Sequence, residues 1–243
     1  MLRELNREGV ETYLVSAIFR PDQFFFKWYG KKYRKVLSWF NHIFVQNTSS
    51  YELLQSFNYS SITISGDTRL DRVIDIVNQA SELPLVKQFK QDQLVCVVGS
   101  SWKSDEDLVF RYFKEKEKPF KMIVAPHEVH SSNIHRIKEV LKEFRVVLYS
   151  ESNHKNVVDA DILVIDSVGL LSSLYRYGEF AYIGGGFGKG IHNLLEAATW
   201  GLPVVFGPNH QKFKEATGLI DAGGGFSVND YPALQNIFDR FLQ

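Results

Sequence analysis

Tyr182-Ile183-Gly184-Gly185-Gly186-Phe187-Gly188-Lys189-Gly190-Ile191-His192-Asn193-Leu194-Leu195-Glu196 takes an apolar strand into five glycines within seven positions, then into residues of helical period. Glycine allows a tight turn with φ > 0 and lets a ligand approach the main chain. A helix that starts after such a turn aims unpaired N–H groups at whatever lies in it, which suits phosphate. The spacing is neither Gly-x-Gly-x-x-Gly nor Gly-Lys-Ser/Thr, so dinucleotide and P-loop readings fit poorly. From the residues alone, two readings of Gly185, Gly186, Gly188, Lys189 and Gly190 stand: a phosphate- or nucleotide-binding turn, and a purely structural one. In the helix expected over 191–200, Glu196 lies one turn from His192 or Asn193 and faces the same ligand. A carboxylate there accepts both hydroxyls of a ribose. The plain alternatives are a surface salt bridge for Glu196 and helix capping for His192.

Outward from this stretch, short β-branched or aromatic runs alternate with longer segments of helical period, the pattern of an α/β protein with parallel strands. Six strands are expected in the larger part, at 94–98, 121–125, 145–149, 162–165, 180–183 and 203–206. Helices fall between them, including one whose apolar face is Ile134, Ile137, Val140, Leu141 and Phe144. Such a doubly wound sheet binds ligands outside the carboxyl ends of its strands. Those ends carry Ser100 and Ser101, Pro126 with His127, Ser167 and Gly169, and Pro208 with Asn209. Helix capping accounts for the serines about as well as phosphate contact does. His127 and His130 do not form His-Glu-x-x-His and no cysteine or carboxylate cluster joins them, so no metal is expected.

The first part of the chain holds three expected strands, at 12–18, 42–46 and 62–65, with Asn47 or Thr48 placed to cap a helix over 49–57. A helix over 71–80 and the connection Ser81-Glu82-Leu83-Pro84 follow. Three parallel strands alone would leave an edge to be covered, so the first domain is expected to be incomplete. The expected organisation is a partial domain over 1–80, a linker over 81–89, and a nearly complete Rossmann-like domain over 90–243.

Composition narrows the classes further. The 28 basic and 28 acidic side chains of the 243 residues cancel, which gives no support to nucleic-acid binding. Cys96, the single cysteine, lies in an apolar run and reads as a buried strand residue. No run of apolar residues is long enough to span a bilayer. One asymmetry survives: residues 20–35 hold six basic residues against Asp22, interleaved with Phe24, Phe25, Phe26, Trp28, Tyr29 and Tyr33. This segment reads either as an amphipathic element packing its aromatics inward or as a surface that meets anionic lipid.

Taken in order, Gly66-Asp67-Thr68-Arg69-Leu70-Asp71, Ala125-Pro126-His127-Glu128, the Gly184–Glu196 stretch and Pro203-Val204-Val205-Phe206-Gly207-Pro208 resemble the 3-deoxy-D-manno-octulosonic acid (Kdo) transferases of lipid A biosynthesis. Tyr13-Leu14-Val15-Ser16-Ala17-Ile18-Phe19-Arg20 is similar to that family's Asn-Ala-Arg region. The resemblance implies the two-domain glycosyltransferase B architecture. It implies transfer of Kdo from CMP-Kdo to the glucosamine disaccharide of a lipid A precursor, without a cofactor, in peripheral contact with the cytoplasmic face of the bacterial inner membrane. The turn at 184–190 and the helix after it would hold the cytidine monophosphate, with Asn193 and Glu196 on its ribose and phosphate sides. Some members carry Pro-Arg-His-Pro-Glu-Arg where this chain has Pro126-His127-Glu128. Lys189 and Arg69 are the candidates to replace the arginine. Family members are longer, and their general-base glutamate precedes the residue matching Met1, so the isolated chain is expected to be inactive and truncated at both ends. The alternatives are another glycosyltransferase B enzyme using a UDP-sugar, and a non-catalytic nucleotide-binding module.

Overall fold

The computed structural model describes residues 1–118 and 120–243; the side chains at 69–72, 76 and 79 lie outside the described residues, and with them the compensating role suggested for Arg69. The chain divides into two compact units, Met1–Arg72 and Val73–Gln243.

In the first unit, β1 (Tyr13–Ala17), β2 (His42–Val45) and β3 (Ile62–Ile64) form a parallel sheet in the order β1-β2-β3. Helices α1 (Leu2–Arg7), α2 (Lys31–Arg34) and α3 (Thr48–Gln55) belong to it, and α4 (Thr68–Gln79) runs from it into the second unit. Phe19, Leu37, Ile43, Val45, Leu54 and Ile62 make its core. Asn47 caps α3, its side chain accepting from the Ser50 N–H at 2.9 Å. The basic, aromatic segment turns out two-sided. Phe26 packs edge-on against Phe19, and Arg34 lies over the Phe57 ring at 3.9 Å and donates to the Phe25 carbonyl. Trp28 is 89% exposed, and Tyr29, Tyr33, Lys31, Lys32 and Lys35 are exposed with it.

The second unit holds seven strands: β4 (Val95–Ser101), β5 (Lys121–Pro126), β6 (Val146–Leu148), β7 (Ile162–Val164), β8 (Phe180–Ile183), β9 (Val204–Phe206) and β10 (Gly225–Ser227). Every pair is parallel, in the order β10-β9-β8-β4-β5-β7-β6. Consecutive side chains of a strand point to opposite faces, and the two cores sort accordingly. Val95 and Val97, Ile123, Leu163, Ala181 and Ile183 go to one; Cys96 and Val98, Met122, Val124, Ile162, Phe180 and Tyr182 go to the other. Both faces are covered, as a parallel sheet requires. The covering helices are α5 (Pro84–Lys90), α6 (Lys103–Glu115), α7 (Ser131–Val140), α8 (Leu171–Leu174), α9 (Leu195–Ala198), α10 (Lys214–Asp221) and α11 (Tyr231–Phe241).

Three elements differ from expectation. β10 was not expected; three residues beginning with a glycine carry almost no strand signal. Residues 191–194 are not helical, and α9 is a single turn. The His192 N–H there turns back to the Gly184 carbonyl at 3.1 Å. Within 81–89, Pro84 opens α5, whose Val86 and Phe89 are wholly buried in the second unit's core.

Candidate functional site

β4 is followed in the chain by β5 on one side, whereas β8 returns on its other side and leads to β9, so the topology reverses between β4 and β8. The crevice outside the carboxyl ends of two such strands is where open α/β sheets bind ligands. At this point β4 carries a bulge: pairing with β5 shifts between Gly99 and Ser101, and Ser100 takes a left-handed φ of 50°. A bulge of this kind re-aims one side chain at a strand end, and a non-glycine residue at φ > 0 is strain held by its surroundings. Ser100, Pro126, His127, Ser167 and Gly169 line one cleft of about 170 Å³, joined by Val168 and Leu171. Thus the three polar strand ends after β4, β5 and β7 come together.

The glycine turn lies on the β8 side of the same edge. Gly185 has φ +93°, and a Cβ there would stand 2.5 Å from the Gly190 carbonyl oxygen. A Cβ on Gly186 would stand 2.5 Å from Gly207 N and Cα, so the turn after β8 and the turn after β9 meet backbone to backbone. Asn209 ties them: its N–H donates to the Gly186 carbonyl at 2.9 Å and its side-chain amide to the Gly188 carbonyl at 2.8 Å. The expected fan of N–H groups from a helix start is replaced by a closed loop. The N–H of Gly185 goes to Asp105, those of Gly188 and Gly190 to the Gly185 carbonyl, and that of His192 to Gly184. Lys189 is exposed.

His127 links cleft and turn. Its ring stacks on His192 at 4.4 Å and on Trp102 at 4.4 Å, and the Trp102 indole N–H donates to His192 Nε2 at 3.1 Å. Burial, then the neighbouring His127, holds the His192 imidazole below its ordinary value, against a smaller opposing pull from Asp105. His192 therefore does not cap a helix. Asn193 does part of that work, its Oδ1 accepting from the Leu195 N–H at 3.2 Å while its amide donates to Glu196 Oε1 at 2.9 Å. His130 caps α7, accepting from the Asn133 N–H, and pairs with Glu128. Among the described residues no group of three or more His, Cys, Asp or Glu side chains converges as a metal site would need.

Sequence reasoning missed the groups beneath the turn. Asp105 and Glu106, in the first turn of α6, are wholly buried. Asp105 accepts from the Gly185 N–H at 2.9 Å, the Trp102 N–H at 3.0 Å and the Tyr182 hydroxyl at 3.0 Å. Burial first, then the Asp105 charge and hydrogen bond, pushes the Tyr182 phenol far up. Glu106 accepts from the Ser101 hydroxyl at 2.9 Å and pairs with Arg136, so Ser101 braces this junction rather than facing the cleft. A signal was present: Asp105 falls on the same helical stripe as Val109, Tyr112 and Phe113, and a carboxylate on an apolar stripe is buried with partners.

The match to a family model described as 3-deoxy-D-manno-octulosonic-acid transferase (kdotransferase) covers residues 1–72, the extent of the first unit. The chain is 27% identical over 207 residues to the 3-deoxy-D-manno-octulosonic acid transferase of Aquifex aeolicus, covering 83% of this chain and 54% of that protein. It is 23% identical over 237 residues to that of Rickettsia bellii, covering 94% and 56%. The chain therefore spans about half the length of the curated relatives it matches. Among solved structures, the C-terminal CMP-Kdo binding domain of WaaA from Acinetobacter baumannii is similar with a TM-score of 0.54 and 18% identity, over 71% of this chain and 86% of that one. The UDP-GlcNAc 2-epimerase of Methanocaldococcus jannaschii is similar with a TM-score of 0.64 and 15% identity, over 100% of this chain and 66% of that one. At such identities the structures speak for the fold, an α/β, Rossmann-like arrangement of glycosyltransferase B type with two domains. On that fold, the chain is homologous at family level to the 3-deoxy-D-manno-octulosonic-acid transferases.

Proposed function

We propose that the chain provides the donor side of a glycosyltransferase that moves Kdo from CMP-Kdo to the glucosamine disaccharide of a lipid A precursor. The carrying observation is the meeting of Ser100, Pro126, His127, Ser167 and Gly169 in one cleft at the carboxyl edge of the sheet, with the glycine turn beside it across the β4–β8 reversal. In this reading Gly185, Gly186, Gly188 and Gly190 shape a surface that the phosphate approaches, with Lys189 at its rim. His127 and Ser100 supply donors to phosphate or base, and the Asn193–Glu196 pair receives the ribose hydroxyls. In transfer, the acceptor hydroxyl loses its proton to a base as its oxygen attacks the anomeric carbon, while CMP departs. The donor side contributes by stabilising the charge that develops on the leaving phosphate. No metal or cofactor enters this reading.

The acceptor is a lipid-linked sugar, so the reaction belongs at a membrane surface, here the cytoplasmic face of the inner membrane. No helix among the described residues is long and apolar enough to cross a bilayer. Peripheral contact through the exposed aromatic and basic side of 24–35 fits this requirement. Calorimetric titration of the 243-residue chain tests the donor assignment: CMP should bind more tightly than UMP or NAD. Tighter binding of UMP would point to a UDP-sugar enzyme, and equal or absent binding of all three would overturn nucleotide-sugar binding.

A further inference from the structure

The turn proposed to hold the nucleotide is closed by its own backbone and tied by Asn209. Its first glycines are anchored from beneath by groups of α6, an element that the sequence reading left outside the site. Asp105 has no exposed surface, and its three donors come from three places: the start of α6 itself, the middle of β8 and the glycine turn. A buried carboxylate is tolerated only when hydrogen-bonded in this way. One residue before α6, Trp102 presents an indole N–H that can only donate, and it donates to His192 Nε2. A neutral imidazole accepting at Nε2 carries its proton on Nδ1. The same short stretch thus sets both the place of the turn, through Gly185, and the face that His192 offers.

We infer that Asp105 is the positioning residue of the glycine turn, and that Trp102, held by Asp105, fixes His192 as the Nδ1–H tautomer for a phosphate-bearing ligand. Asp105 itself touches no ligand. Its carboxylate holds the start of the turn against the end of β4, where a Cβ on Gly184 would stand 2.3 Å from the Ser100 carbonyl oxygen. The effect on ligand affinity rests on the nucleotide-binding reading above; the effect on Gly185 and His192 does not.

Two NMR observables and one titration on the whole chain test this. In Asp105→Asn an amide replaces the carboxylate, so one of its two ends turns a donor toward donors. The Gly185 amide proton should move upfield, exchange protection over 185–190 should fall, and CMP should bind about tenfold more weakly, the loss expected when a charge-assisted hydrogen bond is removed. In Trp102→Phe the ring stack is kept and the donor lost; the His192 ring nitrogens should shift from the Nδ1–H pattern toward Nε2–H, while the Gly185 amide stays in place. Tyr182→Phe keeps the carboxylate and should leave both Gly185 and CMP affinity near wild type, which separates turn positioning from general damage to the core. If Asp105→Asn does not fold, the wild-type Gly185 amide proton carries the test of Asp105: a strong downfield shift with slow exchange supports a bond to the carboxylate, and an unshifted, freely exchanging proton overturns it. An unmoved Gly185 amide in a folded Asp105→Asn, or Nε2–H in wild-type His192, would overturn the assignment. Wild-type chain with the expected spectra but no CMP binding would instead support the positioning role and sink the nucleotide reading.

Discussion

Gly186 and Gly207 touch where no side chain fits, and this contact separates a glycine needed for close approach from one that is merely present. An alanine methyl at Gly186 would lie 2.5 Å from Gly207 N and Cα, atoms that cannot rotate away. Gly186→Ala should therefore destabilise the chain by about 1–3 kcal/mol, the range for overpacking, and weaken CMP binding with it. Gly218, inside α10, has nothing within 4 Å of its missing Cβ, so Gly218→Ala should stabilise by roughly 0.4–1 kcal/mol. Chemical denaturation of both variants checks the pair; equal effects would mean that the contact with Gly207 carries no energy. The glycine run itself was plain in the sequence, because composition announces a turn. Its partners were not. Asn209 and Asp105 lie far from the turn in the chain, and only the sheet order brings the strands they follow or precede beside β8.

At the scale of elements, alternation of apolar and helical runs was enough to find β1 to β9; β4, β5, β7, β8 and β9 are buried on both faces and leave continuous apolar runs. What it could not find were pieces whose own residues carry little preference. β10 is three residues long, α9 is one turn, and α5 is recognisable mainly by Pro84 at its start and by two side chains buried in a distant core. The first strand of each unit ends alike: Ser16 has φ 57° at a shift in the β1–β2 register, as Ser100 does in β4. Periodicity says nothing about such bulges. The segment 20–35 left two readings open in the sequence, and the fold packs one part of it inward and leaves another part exposed. Phe26 and Arg34 secure it from within, while Trp28, Tyr29 and Tyr33 face outward among lysines. Interfacial aromatics and basic residues add hydrophobic and electrostatic attraction to anionic lipid. Sedimentation with vesicles containing phosphatidylglycerol should retain the chain, and vesicles of phosphatidylcholine alone should retain less of it. Trp28→Ala with Lys31→Glu and Lys32→Glu should abolish the difference without changing CMP affinity. Retention that ignores both lipid charge and these substitutions would remove this surface from the proposal.

The two units are unequal as molecules in their own right. Met1–Arg72 has one small core cluster, whereas Val73–Gln243 has a cluster on each face of a seven-stranded sheet. Buried fraction rises with size, so the larger unit is expected to fold without help and the smaller to be marginal alone. All thirteen residues proposed for the donor, from Ser100 to Glu196, belong to the larger unit, as do Trp102 and Asp105. The family-model match lies instead on residues 1–72, the smaller unit. The family-model match and the candidate chemistry thus sit in different units, although likeness to individual transferases runs over both, and a truncation separates the units. A chain of Val73–Gln243 should unfold in one cooperative transition and bind CMP within a factor of about three of the whole chain, a difference of only ~0.7 kcal/mol. Cooperative folding with affinity lowered more than about tenfold, ~1.4 kcal/mol, would mean that the first unit contributes to the donor site. That outcome would move the search for further contacts to the carboxyl ends of β1 to β3, where Ser16 already accepts from Gln46 and from the Thr68 N–H.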